Sequence, residues 1–115
     1  MNERKYNTPM ECVESIHHCG KLYAEAKRRR IGADNYRKTV RAIAFLKSDE
    51  KGVAAKEADA LSCKTYIDVC KELEQAVLDE ETYKSELNYA ELKIDIWRSM
   101  QATKRQQIVA EGMTT

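Results

Sequence analysis

Apolar residues in the C-terminal half of the chain repeat every seven residues. Between Val53 and Gly112 no strong helix breaker occurs, so the pattern predicts one helix over residues 53–109. With Tyr66 as position a of a heptad, nine of the first ten a and d positions are apolar or aromatic, and Glu80 is the exception. This is typical of a helix that packs along a partner in a coiled-coil-like seam. We expect the seam to consist of Tyr66, Val69, Leu73, Ala76, Tyr83, Leu87, Ala90, Ile94 and Trp97.

The stretch "TPME" predicts the start of the first helix. Thr8 suits the N-cap, Pro9 suits the first turn, and Glu11 occupies the capping-box position. We expect this helix over residues 9–31. Its apolar stripe is predicted from residues at helical spacing, namely Met10, Val13, Ile16 or His17, Gly20, and Tyr23 or Ala24.

Gly32 and Asp34 mark the next change in the pattern. A glycine can end a helix and an aspartate can cap the next one, which predicts a second helix over residues 34–47. One continuous helix with a weak point at Gly32 is the alternative, since a single glycine costs only about 1 kcal/mol. The stretch "KSDEKG", which ends at Gly52, predicts a turn.

Together these elements predict an all-α fold, because no strand pattern occurs along the chain. We expect an elongated helical hairpin or a three-helix arrangement with a long coiled-coil-like C-terminal helix. Residues 9–110 would form a single helical domain, preceded by a flexible N-terminus at 1–8 and followed by a disordered tail at 111–115. A helix of about 45 residues would be roughly 70 Å long and needs a partner, either the first helices or another copy of the chain. We therefore expect self-association.

Charge is segregated along the chain, although the net charge of its 115 residues is only +1. Residues 21–47 hold nine basic residues and two acids, a local balance of +7. Residues 48–95 hold six lysines and thirteen acids, a local balance of −7. Such a distribution favours a face for a polyanion or an acidic partner, or pairing of the two halves with each other.

The basic block at residues 26–41 is the first candidate site. Clustered cations neutralise phosphates, and an aromatic ring among them can stack on a base, which predicts binding of single-stranded nucleic acid. Two other interpretations stay open: ion pairing with the acidic later helix, and simple solvation. The candidate nucleic-acid-binding residues are Lys27, Arg28, Arg29, Arg30, Tyr36, Arg37, Lys38 and Arg41.

Catalytic and metal chemistry find little support in the sequence. No nucleophile-elbow, phosphate-loop or zinc-protease motif occurs, so we expect neither an enzyme nor a cofactor. Cys12 and Cys19 are seven residues apart, about 10 Å along a helix, which is too far to share one zinc ion. We expect packing roles for both, with one of His17 and His18 facing the core and the other facing solvent.

The cellular setting is predicted from what the chain lacks. No run of about 18 apolar residues occurs, and the N-terminus has no apolar signal-peptide core, which predicts a cytoplasmic protein without a membrane span. The four cysteines are then expected to be reduced thiols.

The segment "ALSCKTYIDVCKELEQAVLDEETYKSELNYAELKIDIWRSMQATKR" resembles the UvsY-type recombination mediators of bacteriophages. The shared features are an alanine-rich helix start, a tyrosine a few residues later, a long heptad helix, and a late stretch containing Glu91, Trp97, Arg98 and Ser99. The resemblance implies a non-enzymatic protein that oligomerises through helices, binds single-stranded DNA, and helps to load a recombinase.

We therefore predict a helical oligomer that binds single-stranded DNA, acting in the host cytoplasm if it is phage-encoded. The alternative is a coiled-coil protein-interaction module, or a phage inhibitor of a host protein, that binds through the acidic surface around Asp79, Glu80, Glu81 and Glu86. A third interpretation is purely structural, with the two charged halves pairing between subunits.

Overall fold

The computed structural model describes residues 7–114, and this part of the chain consists of three helices. They are α1 (Pro9–Lys47), α2 (Val53–Ser62) and α3 (Lys64–Thr114), with no strand among the described residues. The predicted all-α class with a long C-terminal helix is confirmed. Most of the predicted flexible N-terminus at 1–8 lies outside the described residues.

Helix α1 begins where the sequence predicts it. The backbone N–H of Glu11 donates to Thr8 Oγ1 at 3.1 Å, and the N–H of Cys12 donates to the Thr8 carbonyl at 3.1 Å. Thr8 therefore satisfies the first open donors of the helix, and Pro9 starts it with no N–H to leave unpaired.

Gly32 does not interrupt α1. The predicted boundary between helices at 9–31 and 34–47 is wrong, and the alternative of one continuous helix is what forms. The reason lies partly at Asp34, whose carboxylate binds Arg37 and Lys38 one turn later on the same helix instead of capping a new one. The cost of a single glycine is small enough for the rest of a 39-residue helix to absorb.

The single helix predicted over 53–109 is divided at Cys63. This residue is extended, with φ −70° and ψ 147°, and it caps both neighbours: its N–H donates to the Ala60 carbonyl, and its carbonyl accepts from the N–H of Ile67. Gly52 starts α2 at φ 97°, a conformation that favours glycine. At the other end α3 continues through Gly112, where a disordered tail was predicted.

Contacts between α2 and the end of α1 stabilise the chain where α2 and α3 are separated. Lys56 of α2 donates to the Ser48 carbonyl at 3.3 Å and lies over the Phe45 ring, 5.8 Å from its centroid. Arg41 of α1 lies 4.0 Å from Glu57. These tertiary contacts leave no signal in the local sequence around Cys63.

The described contacts group into two units, and α1 and α3 contribute to both. The first unit joins the chain up to Lys21 with the chain from Tyr83 onward. Within it, Cys12 packs on Ala90, and Ile16 and Ile94 cover that contact. Earlier residues of α1 lie beside later residues of α3, since Pro9 and Trp97 line one shallow depression, so the two segments are antiparallel here.

The second unit spans residues 22–82 and contains α2. Here Arg30 binds Glu80 while Arg37 interacts with the Tyr66 hydroxyl, so the two long-helix segments are antiparallel in this unit too. The buried apolar residues of this unit are Ala26, Ala33, Val40, Ala60, Val69 and Ala76.

Small side chains form the core of both units. Every buried apolar residue in the described part of the chain is an alanine, a cysteine or a valine, and none of the large side chains there is fully buried. Small residues let helix backbones approach closely, but they leave the larger apolar side chains half-buried or outside.

Candidate interaction surfaces

Two arginines of the basic block bind acids of α3 in the second unit. Arg29 Nη2 donates to Asp79 Oδ2 at 2.6 Å. Arg30 donates two hydrogen bonds to the Glu80 carboxylate. Its Nε donates to Oε2, and its Nη2 donates to Oε1 at 3.3 Å. Of the three interpretations of the block, ion pairing with the acidic helix is therefore the one that the structure shows for these two residues.

Each pair shifts the pKa of one member, Asp79 or Arg30, in the direction that keeps that member charged. Hydrogen bonding from Arg29, with a smaller contribution from Gln75, lowers the pKa of the Asp79 carboxyl; the Gln75 amide donates to Asp79 Oδ1 at 2.9 Å. The hydrogen bond to Glu80 and its charge raise the pKa of Arg30. Asp79 and Arg30 thus stay charged at neutral pH.

Glu80 lies inside the seam that the heptad pattern predicts. It is only 8% exposed, and its carboxylate is bound by Arg30. The one polar exception in the pattern is therefore a buried ion-pair partner. Ala76, one turn before Glu80 in the seam, is buried, and Tyr83, the next seam residue, is half-buried.

Trp97 is the residue of the predicted seam that the structure places differently. It is 43% exposed, whereas the other eight are buried or half-buried. At this level α3 lies beside the first turn of α1, with Thr8 and Pro9 lining the same depression, so little of α1 is there to cover an indole ring.

The C-terminal part of the basic block is also paired, chiefly within α1. Arg37 Nη2 donates to Asp34 Oδ1 at 2.7 Å, and Lys38 Nζ lies 3.7 Å from Asp34 Oδ2. Arg37 first, and then Lys38, lower the pKa of the Asp34 carboxyl. Asp34, followed by Tyr66, raises the pKa of Arg37.

The remaining members of the block project into solvent. Lys27 is exposed, and the Arg28 side chain is 77% exposed, with Glu25 4.0 Å away. The Lys38 side chain is also largely exposed, and Tyr36 is 55% exposed. The eight candidate residues therefore do not form one uniform cationic surface.

The predicted packing roles of the cysteines and histidines hold for only some of these residues. Cys12 and Cys19 are buried, while Cys63 is half-buried, and no disulfide joins any of the four cysteines. The expectation that one histidine faces the core is wrong, since His17 and His18 are both exposed. Among the described residues no three His, Cys, Asp or Glu side chains gather as a metal site would require.

The buried side of α1 matches the predicted stripe only in part. Ile16, Gly20 and Tyr23 are half-buried and Ile16 packs on the core, whereas Met10 and Val13 are exposed. The buried apolar residues recur every seven positions: Cys12, Cys19, Ala26, Ala33 and Val40. A search for small residues at heptad spacing, in place of large ones, would have found this ladder.

Large apolar side chains lie on the outer faces of the helices. In the first unit Leu92, Ile96 and Met100 of α3 are 59%, 56% and 65% exposed. In the second unit Ile43 and Leu46 of α1 are exposed. These surfaces were not predicted from the sequence because the prediction considered only the residues at heptad positions a and d. The pattern that could have revealed the surface on α3 is a lack of charged residues on the side of the helix opposite those positions.

No helix in the described part of the chain has the length and apolar character needed to cross a membrane. Comparisons with family models, with curated proteins and with solved structures give no significant match to this chain.

Proposed function

We propose that this chain is a non-enzymatic helical module that binds other protein chains through the outer apolar faces of its helices. One observation carries the proposal: the core consists of small side chains, while large apolar side chains occupy consecutive turns of the outer surface. Single exposed apolar residues are ordinary in soluble proteins, but contiguous apolar patches indicate a surface that becomes covered.

The energies involved are large enough to drive association. Fully burying a leucine, isoleucine or methionine side chain contributes roughly 1.5–3 kcal/mol. Leu92, Ile96 and Met100 each have more than half of their surface still exposed. A partner that covers all three would therefore gain several kcal/mol before the cost of association is subtracted.

The ion pairs argue against the charged surfaces as the main binding sites. A phosphate that bound Arg29 or Arg30 would compete with Asp79 or Glu80 for the guanidinium, and an acid that lost this contact would lose its counterion. The same pairs also weaken the acidic-face alternative, since two of the acids in that surface are already neutralised. Binding through apolar faces requires neither rearrangement.

Association of the wild-type chain and of two outer-face variants tests the proposal. Ile43→Glu/Leu46→Glu and Leu92→Glu/Ile96→Glu place charge on exposed sites, so neither should disturb the core. We expect the wild type to associate with itself or with chains captured from a nuclease-treated cell extract. This association should resist about 0.5 M NaCl, where charge interactions are screened, and at least one variant should weaken it about tenfold or more.

Sedimentation of the purified protein and identification of the captured chains provide the measurements. The proposal is wrong if the wild type is monomeric and captures nothing that either variant fails to capture. It is equally wrong if association disappears in high salt, since that behaviour belongs to the ion-pairing interpretation.

Binding of single-stranded DNA is the second candidate, and the exposure of Lys27, Arg28 and Lys38 beside Tyr36 favours it. Recombinase loading, as the resemblance to UvsY-type mediators implies, would then be the activity. Either candidate would act in the cytoplasm, or in the host cytoplasm if the chain is phage-encoded. Inhibition of a host protein belongs to the first candidate, as one form of protein binding.

Fluorescence anisotropy with a labelled oligonucleotide tests this second candidate. Three phosphate contacts predict a slope of log affinity against log salt near −2, so affinity should fall roughly 20-fold between about 50 and 200 mM salt. Lys27→Ala/Arg28→Ala/Lys38→Ala should abolish that slope, whereas Arg98→Ala, which removes an exposed cation of the other unit, should not. Absence of binding at low salt would eliminate this candidate.

A further inference from the structure

The outer face of α3 in the first unit carries a second heptad stripe. Its residues alternate in spacing by four and three positions and are all exposed: Ser85, Tyr89, Leu92, Ile96, Ser99 and Thr103. No charged residue interrupts the stripe, although 34% of the chain is charged. Because the stripe lies on the side of α3 opposite Ala90 and Ile94, the fold of this unit leaves it uncovered.

We propose that this stripe binds the same stripe of a second copy of the chain, antiparallel, about a two-fold axis between Leu92 and Ile96. The inference rests on the proposed function and names the partner for one of its two surfaces. A two-fold contact requires a surface that is complementary to itself, and the order of side-chain sizes along the stripe provides this.

In the antiparallel arrangement each layer pairs residues of complementary size. Leu92 of one copy packs against Ile96 of the other, and Tyr89 packs against Ser99, so a large ring meets a small side chain. Ser85 packs against Thr103. A shallow depression on this face, lined by Ile96, Ser99 and Met100 among others, provides the space that the tyrosine ring needs.

The area of the contact is close to what a specific dimer requires. A half-exposed leucine-sized side chain removes roughly 60–100 Å² from water when it is covered. Tyr89, Leu92 and Ile96 of the stripe and Met100 at its edge are four such side chains. With the smaller residues between them they amount to roughly 350–500 Å² per copy, or about 700–1,000 Å² in total. This lies near the lower limit for a biological interface, so we expect a dissociation constant in the micromolar range.

All six residues of the stripe are uncharged, so the proposed dimer contact would form through apolar packing. The nearest charges are Lys93, whose Nζ lies 5.9 Å from the centroid of the Tyr89 ring, and Asp95 and Lys104, which line the same depression as Leu92 and Ile96. The stripe itself contains no ion, so the contact requires these three charged groups to remain in water at its rim.

Sedimentation equilibrium from about 1 to 300 µM tests the inference with four variants. The wild type should show a monomer–dimer equilibrium. Leu92→Glu should weaken dimerisation at least tenfold, because it buries an unpaired charge twice per dimer. Ile43→Glu, an exposed apolar residue of the other unit, is the matched control and should leave dimerisation unchanged. Circular dichroism should show equal helix content in all of them.

The antiparallel pairing makes a second, sharper prediction. Ser99→Tyr should prevent dimerisation, because it places two tyrosines in the same layer. Tyr89→Ser/Ser99→Tyr should restore it, since the ring and the small side chain have only exchanged positions. Both residues are exposed, so neither change should affect folding of the monomer.

Three outcomes would overturn the inference. They are a monomeric wild type at 300 µM, dimerisation that Leu92→Glu leaves unchanged, and a double variant that fails to recover dimerisation. If Ile43→Glu abolishes association and Leu92→Glu does not, this inference is wrong while the proposed function stands. If the wild type is monomeric, the capture experiment decides the proposed function separately.

Discussion

Gly32 and Gly52 are both exposed, but they differ in backbone conformation, so replacing them should have opposite effects on stability. Gly32 lies inside α1, and nothing lies within 4 Å of an added Cβ. Gly32→Ala should therefore raise the free energy of unfolding by about 0.5–1 kcal/mol, because alanine loses less conformational freedom on folding. Gly52 has an equally open environment but φ 97°, so Gly52→Ala should lower that free energy by about 1–2 kcal/mol. Urea denaturation measures both, and equal effects of the two substitutions would contradict the assignment.

Asp79 and Asp34 give the stability of the fold a defined dependence on pH. Arginine partners hold the pKa of each carboxyl below its ordinary value of about 3.9. The folded state therefore binds fewer protons than the unfolded state as the solution becomes acidic. The contribution of each group is complete above about pH 5 and disappears as the pH falls through its lowered pKa.

Denaturation between about pH 2.5 and 7 measures that dependence. Asp79→Asn should be less stable than the wild type at neutral pH and should lose less stability on acidification. Asp95→Asn changes an exposed acid of the other unit and is the control, with a profile close to that of the wild type. A wild-type profile that is flat down to pH 2.5 would contradict the assigned pairs.

At the residue scale, contacts between residues close in sequence could be predicted, whereas the partners of the ion pairs between helices could not. The Thr8 cap follows from four adjacent residues, and the structure has it. That Arg29 and Arg30 bind Asp79 and Glu80 depends on which turn of α3 lies opposite, fifty residues away in the sequence. The charge segregation indicated that pairing was available but not which residues would pair.

At the scale of the element, alanine at the helix contact sets how closely the helices pack. Ala76 has no exposed surface, and a leucine there has no room unless the helices separate. Ala76→Leu should lower the free energy of unfolding by about 1–3 kcal/mol. Val77→Leu, the next residue on the exposed side of α3, should change it by less than about 0.5 kcal/mol. Thermal or urea denaturation separates the two, and equal effects would mean that the helices do not meet at Ala76.

Element boundaries were predictable only where the chain carries its own signal. The start of α1 and the turn before α2 contain proline, glycine and serine in characteristic order. The break at Cys63 has no proline or glycine and only Ser62 beside it, whose hydroxyl donates to the Asp59 carbonyl. Contacts of Lys56 and Glu57 with α1 stabilise this break. The heptad seam of α3 followed directly from periodicity, but the ladder of small residues on α1 did not, because a hydrophobic pattern gives most weight to large side chains.

For the whole molecule, stability and concentration should be linked. A ligand that binds only the folded state raises the melting temperature by mass action, and in the proposed dimer that ligand is a second copy of the chain. The melting temperature of the wild type should therefore rise with protein concentration between about 5 and 200 µM. That of Leu92→Glu should be constant. A wild-type melting temperature independent of concentration over this range would argue against the dimer.

The small residues of α1 have a consequence for alignment of the helices. Ala26, Ala33 and Val40 follow one another at seven-residue intervals, so sliding α1 by two turns against α3 in the second unit would bring similar side chains into similar places. Packing alone would distinguish poorly between these alignments. A slip that brings Tyr23 to the place of Arg30 would leave the Glu80 carboxylate buried without a counterion. The opposite slip would bring Arg37 there and separate Arg37 from Tyr66. The Arg30–Glu80 pair therefore excludes the first alignment outright, and the native contact of Arg37 with Tyr66 opposes the second.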